Sequence, residues 1–221
     1  MSMMRALKGE QSVISKTKLS VCVPCRDMMH SAFSFDLCKL LEYNALVGIE
    51  TTIHFHVGTL IVNQREQLVQ MAVDAGSTHI LWLDSDMMFP ADTAHQLLKH
   101  GKPIVDENYV TRQYPHRTVA YTDQNDWSSN LINSDDQNDL IQVAAVGMGC
   151  MLTEVAVFKS LNKPYFKTTW SEQLQDHVGE DFNLCYDLTA KGHKILIDNT
   201  LSLKIQHLGT FAFSHSLVKS K

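Results

Sequence analysis

The feature that most constrains the fold is an alternation in the first half of the chain. Short apolar runs are separated by stretches with helical spacing, and glycines close the helices. Leu19–Cys25, LSVCVPC, reads as a buried strand ended by its proline-containing tail. From about Ser31 to Val47, the residues Phe33, Leu37, Leu40, Leu41, Asn44 and Ala45 follow helical spacing, and Gly48 stands as the stop. Thr51–Val57 reads as a strand. Gln64–Ala75 reads as a helix with Leu68, Met71, Ala72 and Ala75 on one side and Gly76 after it. His79–Leu83 is a third strand, Pro90–His100 a helix stopped by Gly101, and Pro103–Val110 a fourth strand. Strand–helix alternation of this kind predicts an α/β domain with a mostly parallel central sheet covered on both faces. In such sheets ligands bind beyond the carboxyl ends of the strands.

That rule gives meaning to THILWLDSDMMFP. The apolar strand HILWL runs straight into Asp84-Ser85-Asp86. Like charges that would be costly inside a core are tolerable if the strand delivers them to a crevice. An oxygen-only pair at a strand end suits Mg²⁺ or Mn²⁺ under a diphosphate. The plainer alternative is a turn whose aspartates cap the next helix.

The second half is less regular. Tyr121–Gln142 holds Asp123, Asp126, Asp135, Asp136 and Asp139 with no Lys or Arg, and reads as a solvated excursion. Val143–Leu152 is apolar but broken by Gly147 and Gly149, and Thr153 is expected to cap a short helix reaching about Leu161. Asp181–Ala190 reads as a helix opened by Gly179-Glu180-Asp181 and stopped near Gly192. Ile195–Ile197 and Leu201–Ile205 read as strands, the latter leading to Gln206-His207-Leu208-Gly209. Acids in a first helical turn are often simple caps, and a lone His is more often structural than a ligand.

Composition narrows the classes. The chain has 221 residues, enough for one domain, with 44% hydrophobic and 19% charged residues and a formal net charge of -5. That charge leaves no global footprint for nucleic acid, only room for a local basic groove. No run approaches the roughly 18 apolar residues of a membrane span, and MSMMRALKGEQSVISKTK lacks the apolar core of a signal peptide, so a cytoplasmic location without membrane insertion is expected. The cysteines Cys22, Cys25, Cys38, Cys150 and Cys185 are odd in number and scattered. Cys22-x-x-Cys25 lies on a strand with no second ligand pair, which favours buried thiols over redox or zinc chemistry.

Taken in order — strand with D-x-D, then G-x-G, then G-E-D on a helix, then His-x-Gly — the chain resembles a nucleotide-sugar glycosyltransferase of the GT-A fold, close to the inverting family 2 type, from about Leu19 to about Gly209. VCVPCRDMMHSAFSFDLCKLLEY is similar to the opening of the compact versions encoded by tailed bacteriophages. REQLVQMAVDAGSTHILWLDSDMMF resembles the family's R-N…A…LDSD segment, with Glu66 where Asn is usual.

The resemblance implies a Rossmann-like half at about 19–110 and an acceptor-binding half at about 111–209, forming a small lobe. It implies that Pro24, Arg26 and Asp27 grip the base and ribose, that Arg65 helps hold the nucleotide, and that Asp84, Ser85 and Asp86 meet the ribose and metal. His207 completes the contacts to Mn²⁺ or Mg²⁺. Gly147-Met148-Gly149 admits backbone to the sugar, and Trp170 forms an apolar floor. Asp181, or failing that Glu180, is the general base. The donor is a nucleoside-diphosphate sugar, UDP first. The acceptor is a hydroxyl, with hydroxymethylated pyrimidine in phage DNA one candidate and a polysaccharide or protein the others. Arg112, His116, Arg117, Lys163 and Lys167 are the candidate positive charges near the cleft mouth. The competing classes are a nucleotidyltransferase and a non-catalytic binding module. The first should carry a Gly-rich loop after its first strand, and VPCRDMMHSAF has no glycine. The second has no need of D-x-D, E-D and a late His together.

Overall fold

The structure, a computed structural model, describes residues 16–112, 114–123, 131–134 and 140–209. In chain order the elements are β1 (Lys18–Cys25), α1 (Ser31–Val47), β2 (Glu50–Val57), α2 (Ile61–Asp74), β3 (His79–Leu83), β4 (Met87–Met88), α3 (Thr93–Lys99), β5 (Ile104–Asp106), β6 (Leu140–Val143) and β7 (Cys150–Glu154). Then follow α4 (Val155–Phe158), β8 (Thr169–Ser171), β9 (Asp176–Val178), α5 (Glu180–Ala190), β10 (Ile195–Asp198), α6 (Asn199–Ser202) and β11 (Gln206–His207).

Alternation along the strands decides the layering. On β3, Ile80 and Trp82 point to one face of the sheet and Leu81 and Leu83 to the other. The first face is covered by α2 through Leu68, Val69 and Ala72 and by α5 through Leu184, Cys185 and Leu188. The second is covered by α1 through Phe33, Leu37 and Leu40 and by α3 through Ala94, Leu97 and Leu98. Each of the Leu, Val and Phe side chains among them, taken fully out of water, contributes about 1.5–3 kcal/mol. Trp82 anchors its side edge-on to Phe158 and Phe166, and its indole N–H donates to the Thr153 hydroxyl at 3.1 Å.

The result is α/β: a seven-stranded mixed sheet in the order β2-β1-β3-β7-β5-β10-β6, with helices on both faces. β2, β1, β3, β5 and β10 run in one direction, and β7 and β6 run against them. Two ribbons, β4 with β11 and β8 with β9, stand outside the sheet. The glycines expected to stop helices do so in the left-handed conformation, with φ of 81° at Gly48, 67° at Gly76, 57° at Gly101 and 84° at Gly192. Among the described residues no helix is long and apolar enough to cross a membrane.

Several boundaries differ from the sequence reading. Thr153 caps nothing: it is a buried residue of β7, and the short helix starts at Val155. The strand expected over Pro103–Val110 stops at Asp106, where Asp106, Glu107 and Asn108 turn inward, buried. Leu201–Ile205 is not a strand. The Asp198 side chain accepts from the Leu201 N–H at 2.8 Å, and this N-cap winds α6, leaving only Gln206–His207 extended. A good cap outcompetes a short alternating pattern. Cys22 and Cys25 are buried free thiols three positions apart, so the pleat sends them to opposite faces. Of the acidic excursion, Asp126, Asp135, Asp136 and Asp139 lie outside the described residues. Its base is tied in: Tyr121 bridges Leu131 and Ala145, and the Ile132 carbonyl accepts from Asn108 and Thr118.

Candidate functional site

Strand order fixes where a crevice opens. β1 lies between β2 and β3, its following helix α1 covers one face, and α2 covers the other on the way to β3. The chain therefore reverses its direction of travel across the sheet at β1/β3, the switch point at which α/β sheets accept ligands. A cavity of about 340 Å³ lies there, walled by Pro24 at the end of β1 and Arg26 beyond it, Gly58 beyond β2, and Asp84, Ser85 and Asp86 beyond β3, with Glu180 and Asp181 across from them.

The shape of this crevice depends on a residue the sequence reading passed over. Gln64, on α2, is buried, and its side-chain amide donates to the carbonyls of Cys25 at 2.6 Å and His56 at 2.8 Å. It ties the ends of β1 and β2 together. A Cβ on Gly58 would sit 3.2 Å from its Cγ, so Gly58 lets the loop pass over it. The available signal was a polar helix residue placed just after a strand-end glycine.

Arg65 neighbours Gln64 and is 3% exposed. Its Nη2 donates to both Asp84 oxygens, at 3.0 and 3.3 Å, and its Nη1 faces Glu180 Oε1 at 3.4 Å. Burial alone would lower its pKa, but Asp84 and Glu180 outweigh that and raise it, so the guanidinium is permanently charged. Asp84 is itself pushed up by burial, with Arg65 pulling the other way. Asp181 is raised to about 6 by burial and by Glu180, while Arg65 opposes. Its Oδ1 accepts from the Phe182 N–H at 2.8 Å in the first turn of α5.

Asp86 behaves differently. Burial raises its pKa, yet the hydrogen bond and charge of His207 and the charge of Arg112 win, and it is held below its ordinary value. Arg112 Nη1 lies 2.7 Å from Asp86 Oδ2, and His207 Nε2 lies 3.5 Å from the same oxygen. β11 pairs antiparallel with β4, placing His207 opposite Met87, next to Asp86. His207 Nδ1 is 3.1 Å from the Val110 carbonyl, which can only accept, so Nδ1 carries a hydrogen; Nε2 either carries a second one, which Asp86 accepts, or presents a lone pair to Asp86. A lone pair facing a carboxylate at 3.5 Å is an arrangement that a proton or a metal ion between them relieves.

This is the test of fit for Mn²⁺ or Mg²⁺. Asp86 and a His oriented through its other nitrogen are suitable donors. Among the described residues no group of three or more His, Cys, Asp or Glu side chains is gathered to hold a metal. The protein thus offers a partial shell, the arrangement used when phosphate oxygens and water supply the rest.

Other expected site residues are placed as follows. Arg26 and Ser85 line the crevice, and Asp27 is exposed beside it and does not line it. Met148 is fully buried, and the space left by Gly147 and Gly149 is filled by Tyr109: a Cβ would come 2.5 Å from its hydroxyl at Gly147 and 2.9 Å from its ring at Gly149. Trp170 is half-exposed on the β8–β9 ribbon, edge-on to His177, and does not line the crevice. Glu66 serves structure: its Oε2 accepts from the N–H groups of Tyr165 at 2.9 Å and Phe166 at 3.4 Å. Lys163 reaches Gln70 and Lys167 reaches Asp187, both away from the crevice lining, and Arg117 is exposed. Arg112 and His116 line a second cavity, on the far side of Asp86.

No protein-family model matches the chain, and no curated protein matches it. In structure the chain is similar to A197 from STIV, with a TM-score of 0.53 and 14% sequence identity over 92% of this chain and 98% of that one. The likeness supports the α/β architecture of a mixed central sheet between helices.

Proposed function

We propose that the chain is a metal-dependent glycosyltransferase of the GT-A type, moving a sugar from a nucleoside-diphosphate donor, a UDP-sugar in the first instance, to a hydroxyl acceptor. The observation that carries this reading is the pairing across one switch-point crevice of two carboxylate environments. Asp86 is held ionised by cationic neighbours, and Asp181 is held near pH 6, poised to take a proton. Pairs of acids pushed apart in this way mark divided roles.

In this reading the base and ribose lie against Pro24 and Arg26, with Arg65 keeping Asp84 in place beneath them. Asp86 and His207 would hold Mn²⁺ or Mg²⁺, which would supply positive charge to offset that of the diphosphate and the leaving phosphate. Asp181 accepts the proton of the incoming hydroxyl as the sugar's anomeric carbon becomes oxocarbenium-like, help worth about 10²–10⁴-fold. Glu180 is occupied with Arg65, which favours Asp181 as the base. A binding module would need no acid near pH 6 in its crevice.

The test is a donor-and-acceptor screen by mass spectrometry. It takes UDP-sugars first, with hydroxymethylcytosine DNA, polysaccharide and protein as acceptors and Mn²⁺ present. The expected result is sugar-sized mass gain on one acceptor, or metal-dependent hydrolysis of the donor. Donor that stays intact, with no UDP binding by calorimetry, overturns the reading.

A further inference from the structure

The second cavity has a volume of about 460 Å³. Asp86 lines the first, while Arg112 and His207, which both face Asp86 Oδ2, line the second. Arg112, His116, Gln206 and His207 supply its polar atoms, and Val110 and Ile205 an apolar wall. Among the described residues no acidic side chain lines it, in a chain whose net charge is -5. At its rim Tyr114 is 92% exposed, edge-on to the His116 ring at 6.0 Å.

Arg112, Tyr114 and His116 come from one loop with a firm base. Val110 bridges Thr118, and the Thr111 N–H donates to the Arg117 carbonyl at 2.7 Å. Asn108 beneath them accepts from the Val119 and Ala120 N–H groups and donates to the Ile132 carbonyl. A fixed stem thus presents a cation, a ring donor and a fully exposed aromatic ring. A cation and a stacking surface side by side match a phosphate next to a planar base.

We propose that this cavity is a subsite for a single-stranded nucleic-acid segment, with Arg112 and His116 on a backbone phosphate and Tyr114 stacked on a base. Its role as the acceptor side rests on the transfer reading, whereas its occupancy does not. Arg112 has two places to spend its charge. Without a metal ion it neutralises Asp86 at 2.7 Å and donates to the Leu208 carbonyl at 3.3 Å. Both contacts use Nη1, which leaves Nε and Nη2 to donate to the phosphate.

The experiment uses the full chain and a fluorescein-labelled oligothymidylate of about eight nucleotides, within the span such sites cover. Anisotropy is followed at low salt, with and without saturating UDP. Binding is expected in both conditions. Arg112→Gln and His116→Gln should each weaken it about tenfold, the scale of a charge-assisted hydrogen bond. Tyr114→Ala should weaken it roughly fivefold or more, the scale of one stacked base. Arg112→Gln should also reduce the salt slope by about one. All three side chains are exposed, and an unchanged melting temperature confirms that each variant is folded. Absence of binding, equal binding by all three variants, or loss of binding when UDP is added overturns the proposal. So does displacement by glucose 6-phosphate as readily as by a thymidine nucleotide, which assigns the cavity to a small sugar phosphate. UDP affinity is measured separately. If it is absent while Arg112-dependent strand binding persists, the donor reading fails and this one stands.

Discussion

Asp181 and His207 carry the sharpest expectations at the scale of single residues. A base must be ionised to act, so transfer should fall as pH drops below about 6, the value to which burial and Glu180 raise Asp181. Asp181→Asn keeps size and the acceptor for the Phe182 N–H. It should lower transfer roughly 10²-fold or more, with UDP binding retained and the acidic limb gone from the residual rate. A parental rate would remove Asp181 from the chemistry. His207→Ala should raise the Mn²⁺ concentration for half-maximal activity about tenfold or more, the scale on which ligand-shell changes act. An unchanged metal titration would leave the ring a packing partner for Tyr109, 5.2 Å away. Asp84, Asp86 and Asp181 were legible because strand ends and helix starts announce themselves in spacing. Gln64 was not, and Arg112 was legible as a positive charge near the cleft mouth but not as the partner of Asp86. Their importance comes from what they touch across 39 residues to Cys25 and from Arg112 to Asp86, contacts that local pattern does not encode.

Among the elements, the segment between β6 and β7 shows how a motif can be seen and its occupant missed. Gly147 and Gly149 were expected to admit backbone to a sugar, but the space they leave is taken by the Tyr109 ring. Gly147→Ala places a methyl 2.5 Å from the Tyr109 hydroxyl and 3.1 Å from its ring carbon, in a fully packed region. Overpacking of this kind costs about 1–3 kcal/mol. Thermal unfolding should show the loss, and Tyr109→Phe with Gly147→Ala should recover part of it by removing the closest atom. No recovery would mean that the backbone, not the tyrosine, sets the constraint. The helices and their glycine stops were readable from 3.6-residue spacing. The strand expected at Leu201–Ile205 was not a strand because one hydrogen bond from Asp198 outweighs alternation over a few residues. Two β-ribbons escaped notice because strands two or three residues long leave no period to detect.

For the whole molecule, the fold class followed from repetition of strand and helix, while the antiparallel insertion of β7 between β3 and β5 did not, since pairing partners distant in sequence leave no local mark. The sheet centre also carries a charge burden. Asp106 and Glu107 are buried and held well above their ordinary values, chiefly by burial. A carboxyl whose folded pKa is raised favours the folded state when protonated, and that advantage is lost as pH climbs from the unfolded value towards the folded one. Asp106→Asn retains an acceptor for the Glu107 N–H that Asp106 Oδ1 binds at 2.7 Å. It should therefore melt a few degrees above the parent at pH 8, and the gap should close towards pH 4. A gap independent of pH would mean that Asp106 binds its proton equally in the folded and unfolded chain, so that burial does not raise its pKa. Arg65 stands as the buried cation among Asp84, Glu180 and Asp181, and the value of about 6 at Asp181 means that this carboxyl keeps a hydrogen ion at pH values where water would strip it away. A divalent ion held at Asp86 would work against that hydrogen ion. Loading the protein with Mn²⁺ at pH 6 should acidify an unbuffered solution by a fraction of an equivalent per ion, and the effect should shrink by pH 8. The crevice would then act as a small reservoir of acid, discharged when the ion enters and refilled when it leaves.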